Sequence, residues 1–85
     1  MRNQDRENIY KAIDTERDYQ IRRWGETYDE QHTIADWLLF IEVQLNEAKL
    51  NYYNGKVKDA TDNMRKIAAL VVAYGEQGEI NDNIK

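Results

Sequence analysis

The side chains of this sequence that can do chemistry are nearly all carboxylates, amides and amines. There is no serine, no cysteine and a single histidine, His32, so a nucleophile with its own base has little to be built from. A zinc site needs three or four His, Cys or carboxylate ligands in register, and one histidine is a poor start. Magnesium accepts hard oxygen ligands and commonly bridges a carboxylate to a phosphate. Two flanks answer that description. Gln44, Glu47 and Asn51 recur at helical spacing, as do Asp59, Asn63 and Lys66 with Asp62 at the edge. If these flanks face one another, they enclose one central glutamate, several amides and a lysine, a thin magnesium site whose fullest set is Glu47, Asp59 and Asp62.

Three helices must carry these residues. The first is expected from about Gln4 to Arg23, capped by Asn3, with Asp5 and Glu7 in its first turn. Its stripe Ile9, Ile13, Glu16, Gln20 begins oily and turns polar, which predicts that its second half borders something wetter than a core. A polar loop follows over residues 25–32. Thr33 with Asp36 three residues later reads as a capping box that opens the second helix. The core row of that helix is Ile34, Trp37, Leu38, Ile41, Leu45, Ala48 and Tyr52. The third is expected over about 57–77, with Ala60, Met64, Ile67, Ala68 and Val71 inward and Ala69, Ala73 and Gly75 permitting close approach. Gly25, Gly55 and Gly78 are expected as left-handed helix stops.

Composition supports an all-α class. The chain has 85 residues, no proline, four glycines and 41% apolar residues. This is one domain over residues 1–78, followed by a tail over 79–85 that is expected to fray. The net charge of −4 opposes binding to duplex nucleic acid and to anionic membrane surfaces. The longest apolar stretch, Ile67 to Gly75, is well short of the roughly 18 residues of a membrane span, and no leader pattern opens the chain. A soluble protein of a reducing cytoplasm is the expectation. Leu39, Phe40, Val43, Leu50 and Tyr53 lie outside the core row, so the second helix is apolar around much of its girth. A further helical layer should cover it, and the fold expected is a three-helix protomer assembling into an oligomeric helical bundle.

The order of Arg22-Arg23-Trp24-Gly25, His32, Trp37, Glu47 and the run Arg65 to Leu70 (RKIAAL) resembles the MazG-like all-α NTP pyrophosphohydrolases, especially small phage-borne members, over roughly Glu16 to Gly78. In active relatives an E-E-x-x-E motif and an E-x-x-D motif on successive helices bind magnesium. Laid on without gaps, these fall on Val43, Gln44 and Glu47, and on Asn63 and Lys66. Only Glu47 is kept.

A site with one carboxylate beside an ammonium cannot compensate the desolvation of two divalent ions, but a lysine in that position can contact phosphate directly. The resemblance thus implies a non-catalytic nucleotide-binding protein with no cofactor, in which Lys66, Arg65 and Arg23 meet phosphate, Gln44, Glu47 and Asn63 read polar groups, and Trp24 stacks. His32 joins this set through the resemblance; read alone, it is a loop histidine that bonds locally. Sequestering a nucleotide immune signal for a phage, in the host cytoplasm, is the biological role that this implies. Three other readings compete. Lys66 forms a structural salt bridge with Glu47; the protein is a magnesium-dependent pyrophosphohydrolase using Glu47, Asp59 and Asp62; or it is an interaction module that grips a host protein through Leu39, Phe40 and Val43.

Overall fold

The computed structural model describes residues 2–24 and 32–76, and these form three helices with no strand among them: α1 (Arg2–Trp24), α2 (Ile34–Tyr53) and α3 (Val57–Glu76). Residues 25–31 of the expected loop, with Gly25, and the expected Gly78 stop and 79–85 tail lie outside the described residues. α1 begins at Arg2, so Asn3 stands inside its first turn and is not the cap. The start of α2 matches the expected box. The Thr33 hydroxyl accepts from the Asp36 N–H at 3.3 Å, and the Asp36 carboxylate accepts from the Thr33 N–H at 3.0 Å.

Its end is a Schellman turn. The Gly55 N–H donates to the Tyr52 carbonyl (3.1 Å) and the Lys56 N–H to the Asn51 carbonyl (2.8 Å). Gly55 has φ +76°, with nothing within 4 Å of where a Cβ would stand. Glycine is needed there for the left-handed backbone and not for space. This three-residue link folds α2 and α3 into an antiparallel hairpin.

α3 is the middle element and packs on both α2 and α1. It needs small residues at its contacts, and Ala69 and Ala73 are fully buried. Leu70 and Ala73 join Trp37, which is only 1% exposed, in the apolar core, with Phe40, Ile41 and Tyr74 packed around them. Arg17, also buried, donates from its guanidinium to the Glu76 carboxylate and ties the middle of α1 to the end of α3.

The expected core rows need correction. On α2, Trp37 and Ala48 are buried and Ile41 is half-buried, whereas Ile34, Leu38, Leu45 and Tyr52 are exposed. On α3, Met64 and Val71 are exposed, Ala60, Ile67 and Ala68 are half-buried, and Asn63 is buried beside Ala69, Leu70 and Ala73. At about 100° per residue, the inward face of α3 is rotated by roughly a third of a turn from the apolar row. The polar flank of Asn63 and Lys66 therefore points into the protein, and much of the apolar row points out.

Candidate ligand-binding site

The two polar flanks do face one another. Asn63, 4% exposed, sits on α3 opposite α2. Its Nδ2 donates to Gln44 Oε1 (2.8 Å) and to Glu47 Oε2 (3.2 Å), and its Oδ1 accepts from Asn51 Nδ2 (2.8 Å). The amide thus uses both donors and its acceptor, as a buried amide should. The sequence brought these four residues to one place, but they form a closed cluster with Asn63 filling the space between the helices.

Lys66, one turn further along α3, is half-buried and behaves differently. Among the described residues it makes no ion pair, and Glu47 instead accepts from Asn63. The expected structural bridge between Lys66 and Glu47 is absent. Lys66 lines a cavity of about 290 Å³ between α1 and the hairpin, together with Arg23, Trp24, Gln44 and Leu70. The α1 wall is completed by Glu16, Tyr19 and Gln20. This is the wetter surroundings that the polar half of the α1 stripe predicts. Gln20 is itself 4% exposed, and among the described residues its Oε1 meets no hydrogen-bond donor. The charge balance of the cavity is positive, because Glu16, its one acid, lies 3.8 Å from Arg65, while neither Arg23 nor Lys66 is paired among the described residues.

Trp24 and Gln44 also line a second, apolar cavity of about 250 Å³ with Phe40, Val43 and Leu70. The two spaces adjoin across the Trp24, Gln44 and Leu70 wall. Trp24 is 42% exposed and borders both spaces.

No family model, curated protein or solved structure matches the chain. The likeness to MazG-like proteins therefore rests on the wording of the sequence.

Other expected site residues stand elsewhere. Arg65 pairs with Asp62 (3.0 Å) and approaches Glu16, on the far side of α3 from Asn63. His32 packs edge-on against Phe40 and Trp37, with ring centroids 5.0 and 5.4 Å apart, and its Nδ1 lies 3.5 Å from the Asp36 carboxylate. It is held locally at the start of α2, outside the Lys66 cavity. The Asp36 carboxyl is held below its ordinary range, chiefly by the Thr33 N–H that it accepts, with His32 adding to the effect. Glu47, Asp59 and Asp62 are not gathered. Glu47 is engaged by Asn63, Asp62 by Arg65, and Asp59 is exposed. Among the described residues no three His, Cys, Asp or Glu side chains are grouped to hold a metal ion, so the magnesium set does not fit. Residues that the sequence reading missed as site members are Glu16, Gln20, Tyr19 and Phe40; the polar turn of the α1 stripe was the signal for the first two.

Proposed function

We propose that this protein binds a phosphorylated nucleotide without cleaving it and works as a homo-oligomer. Lys66 is the observation that carries the reading. An ammonium held half out of water with no carboxylate partner among the described residues is costly, and a phosphate entering the cavity would supply an anion, with Arg23 adding charge-assisted bonds. Trp24 offers the base a stacking surface. Binding without cleavage is supported by the kinds of side chain around the ligand space. They are an amine, a guanidinium, amides and aromatic rings, and the one acid, Glu16, faces Arg65. A protein that holds such a ligand intact is suited to sequestering it.

Oligomerisation is supported by the outward rows. Ile34, Leu38, Leu45 and Tyr52 lie on the side of α2 away from Phe40, Val43 and Gln44, and Val57, Met64 and Val71 of α3 are exposed as well. A second copy on this back face of the hairpin would cover them and leave the cavity open. This is surface that a monomer seldom leaves in water.

A thermal-shift panel of nucleoside mono-, di- and triphosphates and cyclic dinucleotides tests the binding. A ligand at 100 times its Kd should stabilise the fold by about 2.7 kcal/mol, and Lys66→Ala should remove the shift while melting like the parent. No shift with any phosphorylated compound would overturn the proposal.

A further inference from the structure

We infer that the ligand is a single nucleoside monophosphate per protomer, whose base enters the Trp24 and Phe40 cavity and is read there by Gln44. The inference rests on the nucleotide-binding reading and adds the size of the ligand, its orientation and a specificity-determining residue.

The two cavities, of about 290 and 250 Å³, share Trp24, Gln44 and Leu70, and together they lie within the roughly 300–1,000 Å³ of a usual small-molecule site. A ligand that fills both spans the shared wall. The two halves differ in chemistry. One holds Lys66 and Arg23, and the other holds Phe40, Val43 and Leu70, with Trp24 between them. A molecule that satisfies both is anionic at one end and flat and apolar at the other. There is one cationic half and one aromatic half, which accommodate one phosphate group and one base. A cyclic dinucleotide brings two of each and has nowhere to put the second pair.

Gln44 makes the flat end a base and not merely a ring. It borders both cavities, and its side chain cannot turn freely, because Oε1 accepts from the buried Asn63 amide at 2.8 Å. That bond leaves the Nε2 end as the part available to a ligand. Among the described residues no acceptor engages it. The site therefore presents an amide donor of fixed orientation beside an aromatic wall, suited to a ring nitrogen or carbonyl on the edge of a base. The closed Asn63 cluster would then be the mounting of the reading residue.

The test is titration of the full chain with AMP, GMP, CMP, UMP, ribose 5-phosphate, inorganic phosphate and a cyclic dinucleotide, followed by calorimetry and by tryptophan fluorescence. At least one nucleoside monophosphate should bind tenfold or more tightly than ribose 5-phosphate, at one per protomer. It should quench the emission of Trp24, and Trp24→Phe should remove the larger part of the quenching, Trp37 lying behind Phe40. Gln44→Glu keeps an acceptor for Asn63 but removes the donor and adds a negative charge beside Lys66; it should weaken the nucleotide at least tenfold more than it weakens ribose 5-phosphate. Phe40→Leu should weaken the nucleotide in the same selective way. Equal binding of ribose 5-phosphate and every nucleotide, or tighter binding of the cyclic dinucleotide at one per protomer, would overturn this inference alone. Absence of binding by every phosphorylated compound would remove the underlying function as well.

Discussion

Asn63 and Lys66 are neighbours on one helix, yet they belong to two different kinds of polar region. Around Asn63 every donor and acceptor of the buried amide is answered by α2. Around Lys66 the cavity is lined by Arg23, Gln44, the rings of Tyr19 and Trp24, the Glu16 carboxylate that approaches Arg65, and a Gln20 carbonyl that no donor among the described residues answers. A satisfied buried network rigidifies the fold, whereas unsatisfied polar groups beside a cavity mark a place completed by something else. Polarity on an inward face is thus not enough to identify a site; the hydrogen-bond accounts have to be left open.

The largest expected effect comes from breaking the closed region. Asn63→Ala strands Gln44, Glu47 and Asn51, and should cost about 1–3 kcal/mol in a urea melt. It should also weaken nucleotide binding, because Gln44 loses its anchor. Next is the hairpin link that sets the register of both regions. Gly55→Ala forces a side chain into a left-handed backbone, and about 1–2 kcal/mol should be lost with binding intact in the folded fraction. Thr33→Ala removes the cap of α2 and should cost about 1 kcal/mol, again without changing the affinity.

The same cap gives a pH dependence. The folded pKa of Asp36 lies below its ordinary 3.8, so its contribution is complete above that value and is lost as pH falls through the lowered one. Melting temperatures followed through this acid range should fall less steeply for Asp36→Asn than for the parent. Smallest in stability is Lys66→Ala, expected within about 0.5 kcal/mol while binding disappears. Arg65→Ala is the contrasting control. Its pairs with Asp62 and Glu16 are only partly exposed, so their loss should cost about 1 kcal/mol, and nucleotide affinity should be retained.

Much of this arrangement was legible in the sequence, and the failures have a common cause. The Thr33–Asp36 box and the Gly55 stop are local devices, written in adjacent residues, and they fixed the ends of α2. Spacing alone also placed Gln44, Glu47 and Asn51 on the flank that meets Asn63. What spacing did not reveal was the rotation of α3. The largest apolar residues mark a row, but a helix packed on both sides turns its smallest residues to its neighbours, and Ala69 and Ala73 outweigh Met64 and Val71. Arg65, about 100° around the helix from Lys66, projects away from that flank as its position requires, and it pairs with Asp62 and Glu16. His32 was drawn into an aromatic corner with Phe40 and Trp37 that no pattern in the chain announces.

The Arg17–Glu76 ion pair joins positions 59 apart in sequence, while the hairpin closes through the short Gly55 link. Contacts near in sequence form sooner than distant ones. Docking of α1 is consequently expected after closure of the hairpin, since its anchor on Glu76 lies 59 positions away. The cavity between α1 and the hairpin is completed by that docking, and on the proposed reading removal of residues 1–24 should leave a helical hairpin with no affinity for nucleotide.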